Sequence, residues 1–179
     1  YMNGSTNTLG IYQSKLYVDN ELQLTITMDT IDFSTNRAIN AFADYKSDKL
    51  LNTWYVQFFK LKKNPLDLYT FKQQHKEYID LSDGQPKAIT MVLADFYGNE
   101  SKLHFKVQYD AELIRVPFRY KDEVVFKADE INTYHSSAAR VMFNEHAFYD
   151  DVCFATQEKY TKGALSSSIH LGHGFIPLA

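Results

Sequence analysis

Cysteine occurs once in this 179-residue chain, at Cys153, so no disulfide forms within it. A single cysteine fits a reducing compartment and a disulfide-free exported protein equally well. Glycine is scarce, with seven residues, and none cluster ahead of a helical pattern. That excludes a glycine loop cradling a phosphate at a helix N-terminus. Basic runs are missing too. The net charge is −3, and no segment interleaves aromatic with basic residues. An electrostatic nucleic-acid binder is excluded on that ground. No stretch approaches the ~20 consecutive apolar residues of a membrane-spanning helix. The chain opens on Tyr1 with no signal-peptide pattern, as expected of a mature product, an excised domain or part of a longer chain.

Aromatic residues are plentiful. They make up 15% of the chain, with thirteen Tyr and thirteen Phe, within a hydrophobic fraction of 45%. That composition suits sheets. The clearest pattern runs from Lys87 to Tyr109. Leu103, Phe105, Val107 and Tyr109 alternate with Lys102, His104, Lys106 and Gln108, the mark of a half-buried strand. Ala88 to Ala94 is nearly all apolar, as in a strand covered on both faces. Asp95 to Glu100 supplies turn residues between them. A second hairpin joins Ile11–Val18 to Leu22–Met28 through Asp19-Asn20.

Elsewhere the elements are shorter. Tyr1 to Gly10 reads as an entry loop. Ala38 to Ala43 fits a strand or a short helix, with strand favoured. Asn52 to Leu61 reads as a strand that Asn64-Pro65 ends, and Leu66 to Phe71 as a short extended piece. After Asp110 come an extended Ala111–Tyr120, short strands at Val124–Phe126, Arg140–Phe143 and Val152–Thr156, a loop at Lys162–Ser168, and an extended end. The expected class is all-β, with two β-sandwich modules: residues 1–110, immunoglobulin-like, and residues 111–179, short and incomplete.

Candidate chemistry is sparse. His170-Leu-Gly-His173 is the one close histidine pair, and two loop histidines beside glycines are the simpler reading, since zinc needs several convergent ligands. Asp80-Leu-Ser-Asp83-Gly84 lacks the spacing and the distal Glu of a calcium loop and reads as a turn. Cys153 sits in an apolar strand pattern, as a buried structural thiol does. Asp150-Asp151 reads as a pair of solvated turn residues, because a general acid/base pair needs a cleft. The run Trp54 to Phe59 offers a carbohydrate or peptide platform. Apolar residues on both of its faces favour a doubly buried strand instead. No residue is assigned a catalytic, cofactor-binding or metal-binding role.

Taken in order, several segments resemble the large Bacteroidetes-type M23 (lysostaphin-like) metallopeptidases. Asn7 to Leu22 resembles the hairpin after their catalytic core. Met28 to Lys46 is similar to their Met-Asp, Phe-Ser, Arg-x-Ile-Asn-x-x-x-Asp-Tyr run. Asn64-Pro-Leu-Asp-Leu-Tyr69 resembles their Asn-x-Leu-x-x-Tyr, and Ala94 to Ser101 their Asp-x-x-Gly-Asn-x-Ser hairpin. Ala147–Val152, Ser168-Ile-His170 and Ile176-Pro-Leu178 follow the order of their C-terminal β region.

The resemblance implies an accessory β region that positions or shields a zinc peptidase domain acting on peptidoglycan. That family holds zinc through a His, an Asp and a His-x-His motif. None of these is present here, and His170 and His173 have the wrong spacing. The zinc therefore belongs to the parent's catalytic domain, and this chain needs no cofactor. The implied partners are the missing peptidase domain, another envelope protein, or peptidoglycan through the parent enzyme. The implied location is the periplasm or outer envelope. Strands expected before the Tyr1 loop and after Ile176-Pro-Leu178 are missing, which marks the chain as a fragment on this reading. The alternative is a structural subunit of an envelope complex, derived from a peptidase-like protein. A glycan-binding sandwich, with Trp54 as its platform, is a third reading.

Overall fold

The computed structural model describes residues 10–72, 78–113, 124–137, 139–174 and 176–178. The chain is all-β in character, as its sequence predicts, and it divides into two compact units. One comprises Tyr1–Asn36, Phe58–Lys60 and Leu66–Arg115. The other comprises Arg37–Gln57, Leu61–Pro65 and Val116–Ala179.

The first unit is built on a five-stranded antiparallel sheet. Its strands are β1 (Gln13–Val18), β2 (Glu21–Thr27), β3 (Tyr69–Phe71), β4 (Lys87–Ala94) and β5 (Glu100–Val107), in the spatial order β3-β2-β1-β4-β5. Asp19 and Asn20 both take positive φ, 49° and 66°, as the tight β1–β2 turn requires. A register shift at Leu16/Tyr17 marks a bulge next to that turn. The Asp19 N–H donates to the Ala88 carbonyl at 2.8 Å, and its carboxylate accepts the Ala88 N–H at 2.9 Å. The turn is thereby tied to β4. Asp95 organises the β4–β5 turn, accepting the backbone N–H groups of Tyr97 and Asn99, each at 2.9 Å. Gly98, at φ 83°, supplies the left-handed residue there.

Cross-strand partners share a face of a sheet. Phe71, Leu24, Leu16, Met91 and Leu103 therefore form one continuous row across all five strands. Leu24, Ile26, Ile89 and Leu16 are buried on this face. The opposite face carries Lys15, Thr25, Thr27, Thr90, Lys102 and His104. Val92 is buried on that polar side, between its partners Lys15 and Lys102, so β4 does have buried residues on both faces.

In the second unit, α1 (Tyr45–Leu51) starts at Asp44, whose carboxylate accepts the Ser47 N–H, and ends at Asn52 in the left-handed region. Three two-stranded pairings follow. β6 (Val124–Phe126) pairs with β9 (Val152–Phe154), β7 (Asn132–His135) with β8 (Arg140–Phe143), and β10 (Thr156–Lys159) with β11 (Ser168–Leu171). The first two pairings share a core of phenylalanine. Phe126, Phe148 and Phe154 are buried, with Tyr134, Phe143, Ala147 and Ile176 packed on them. Phe126 and Phe154 stack at 4.5 Å. Among the described residues no helix is long and apolar enough to cross a membrane.

Four expectations need correction. Ala38–Ala43 is not a strand. Residues Phe33–Ala41 form a 3₁₀ helix, started by Asp32, which accepts the Ser34 N–H at 2.7 Å. Asn52–Leu61 is not a strand either, and only Val56 makes a bridge, to Ala43. With one bridge there is no ladder to bury both faces, so Trp54 stays 50% exposed. β5 forms as expected but is not half-buried. It lies at the sheet edge, where Leu103 is 55% and Phe105 41% exposed. Ala111–Leu113 is a 3₁₀ turn and not extended. The entry-loop assignment for residues 1–9 and the extended assignment for residues 114–120 lie outside the described residues.

Candidate binding face

The apolar face of the first unit's sheet holds an open cavity of about 910 Å³. Leu16, Leu24, Ile89 and Met91 form its floor, one residue or two from each of β1, β2 and β4. Phe58 and Phe59, expected to lie in a doubly buried strand, stand over that floor as part of its wall. Tyr78 and Ile79 contribute a further wall. Sequence reasoning passed over these two, since they carry no periodic signal ahead of the Asp80 turn. Phe105 borders the cavity on the side of β5. Burial falls along the row from Leu24 to Leu103, because among the described residues β5 has a neighbouring strand on one side only.

The polar border is mostly acidic. Asp19, Glu21 and Asp80 line it together with Lys87. Glu21 pairs with Lys72 at 3.1 Å, and Lys87 pairs with Asp83 at 2.6 Å. The hydrogen bond from Lys87 holds the Asp83 carboxyl below its ordinary value, helped by the Gln85 N–H, and raises the Lys87 ammonium in return. Asp80 accepts the Ser82 N–H at 2.9 Å and Asp83 the Gln85 N–H at 2.9 Å, so this segment is a turn, as expected.

The other face of the sheet is basic near its β5 edge. Lys102 pairs with Glu100 at 3.1 Å, and His104 Nδ1 lies 2.9 Å from Thr90 Oγ1. No ion pair of Lys106 occurs among the described residues. Cross-strand register places Lys102, His104 and Lys106 on one side and Leu103 and Phe105 on the other.

The remaining candidates fall in the second unit and do not converge. His170 is exposed on β11, and His173 is half-buried beyond it. The glycine between them has a packing reason. Gly172, at φ 68°, donates its N–H to Ala155 at 2.8 Å and passes against the Phe154 ring. Cys153 is half-buried on β9, and not fully buried as expected. Asp150 and Asp151 are turn residues with cationic neighbours. Asp150 faces Lys62 at 3.7 Å. Asp151 accepts from Lys127 Nζ at 2.7 Å and from the Ala128 N–H at 3.1 Å, which lowers its pKa. Among the described residues no group of three or more His, Cys, Asp or Glu side chains is placed to hold a metal ion.

The arrangement suits binding: an apolar floor with an acidic border, next to a sheet edge with basic residues. Compared with family models, curated proteins and solved structures, the chain matches none.

Proposed function

We propose that this chain is the non-catalytic accessory β region of a cell-envelope M23-type peptidoglycan metallopeptidase. In that role it positions or shields a separate zinc-bearing catalytic domain, in the periplasm or outer envelope. The immunoglobulin-like character expected of the first module belongs to the same reading.

One observation carries the proposal. Most residues behind the resemblance hold turns, caps and core, while its first segment, Asn7 to Leu22, also supplies Leu16, Asp19 and Glu21 to the binding face. Asp44 caps α1, the buried Asn64 side chain donates to the Ala41 carbonyl at 3.1 Å, and Asp95 closes the β4–β5 turn. Two of the C-terminal motifs meet in one place, where Phe148 bridges to Leu178 and Ile176 packs on the phenylalanine core. A set of positions that maintains architecture is what an accessory module shares with its relatives.

Tryptic mapping of the native protein beyond both ends of this chain, with elemental analysis for zinc, tests the reading. The expected result is one polypeptide that carries a His, an Asp and a His-x-His set and binds zinc. A native protein without that set overturns the peptidase reading. The exposed Leu103 and Phe105 support a second reading, a scaffold subunit whose apolar surface other envelope proteins cover.

A further inference from the structure

Strand β5 ends the sheet, and among the described residues nothing pairs with its outer side. Which backbone groups face outward follows from the ladder. The Asp95 N–H donates to the Asn99 carbonyl at 3.1 Å, so the bonded pairs continue as Leu93/Ser101, Met91/Leu103 and Ile89/Phe105. The Asp19 N–H to Ala88 carbonyl bond agrees, since it turns Ala88, Thr90 and Val92 toward β1. The N–H and C=O groups of Lys102, His104 and Lys106 therefore point away from the sheet. Their side chains share the basic face, while Leu103 and Phe105 extend the apolar row of the cavity.

We propose that this edge takes up an extended partner segment in which acidic and apolar residues alternate, added as a sixth strand beside β5. Backbone bonding fixes the segment along Lys102–Lys106. Its acidic side chains face Lys102 and Lys106, and its apolar side chains continue the Leu103 and Phe105 face over the cavity border. Lys102 and Lys106 favour an acidic occupant, and a second copy avoids like charges only in the register centred on Leu103, which sets Glu100 opposite Lys106 of the other copy and would show as dimerisation in solution. Antiparallel self-pairing centred on His104 sets Lys102 opposite Lys106 of the other copy, and like charges directly opposite one another are destabilising. Lysines on an edge strand discourage self-association in this way and still admit an acidic strand. The inference goes beyond the peptidase reading and holds whether or not a zinc domain is attached.

The test uses the full chain and two short synthetic peptides, one alternating Glu with Val or Ile, the other alternating Lys with Val or Ile. The acidic peptide binds at least roughly tenfold more tightly, a difference that shrinks as salt rises. Hydrogen exchange at the Lys102, His104 and Lys106 amides slows when it binds. The double variant Lys102→Glu/Lys106→Glu, which leaves the β4 pairing intact, reverses the preference. His104→Pro removes the central outward N–H and abolishes binding of either peptide, with circular dichroism reporting that the sheet persists. Equal binding of both peptides overturns the proposal. So do protection confined to other residues, an unchanged preference in the double variant, and concentration-dependent dimerisation through β5. None of these results bears on the zinc assay of the native protein, so the two readings fail separately.

Discussion

A Cβ on residue 172 would stand 3.0 Å from Cε2 and 3.2 Å from Cδ2 of Phe154. Gly172 also sits at φ 68°, so two constraints act at one position. Gly172→Ala should destabilise the chain by roughly 2 kcal/mol or more, combining the left-handed backbone term with displacement of a core ring. Gly163 is the control, at φ 87° with nothing within 4 Å of an added Cβ. Gly163→Ala should cost only about 1–2 kcal/mol, the backbone part. Urea unfolding of both variants separates strain from packing. Equal costs would remove the Phe154 contact from the account.

The exposure of β5 makes a direct prediction. Leu24 is 2% exposed and Leu103 is 55% exposed, although both belong to one cross-strand row. Leu24→Ala should cost about 2–5 kcal/mol. Leu103→Ser should stay within about 0.5 kcal/mol, as a surface change does. Thermal unfolding decides between them, and a large loss for Leu103→Ser would mean that the edge is covered.

The β1–β2 turn depends on Asp19. Its carboxylate accepts the Ala88 N–H and its backbone takes φ 49°. Alanine lacks the acceptor and tolerates that φ poorly. Asp19→Ala is expected to cost about 1–3 kcal/mol, and Asp19→Asn considerably less, since asparagine keeps both properties. Denaturant midpoints of the two variants give the comparison.

The α1 cap carries a pH signature. The Ser47 hydroxyl bond to the Asp44 carboxylate, at 2.7 Å, lowers the Asp44 pKa, with smaller help from the Ser47 N–H. A depressed carboxyl pKa stabilises the fold above the unfolded value near ~3.9, and that stability is lost as pH falls through the lower folded value. Asp44→Ala should therefore cost about 1 kcal/mol at neutral pH. The gap between wild type and variant should begin to narrow below about pH 4. A gap constant from pH 7 to pH 2 would show that the charge of Asp44 plays no part.

The two hairpins were legible because their signals are local. The alternation in Leu22–Met28 and Leu103–Tyr109, with Asp19-Asn20 and Asp95–Asn99 between arms, sets strand and turn within a few residues. Helix α1 was missed because seven residues hold too few turns for a periodic stripe. Trp54 to Phe59 was misread because its apolar residues have no common strand. Val56 bridges to Ala43, Trp54 stays half-exposed, and Phe58 and Phe59 line the cavity. The cavity itself could not be read, since Phe58, Tyr78 and Met91 come from three separated segments.

Composition and alternation by themselves determined an all-β chain, its two main hairpins and their turns, because strand periodicity and positive-φ turn residues act between near neighbours. Only the tertiary structure decided that β5 is an edge. A strand's burial depends on how many strands flank it, and that count is a property of distant segments. The same alternating residues that would serve as core in a central strand are left at Leu103 and Phe105 as an open apolar surface, with the lysines of the opposite face beside it.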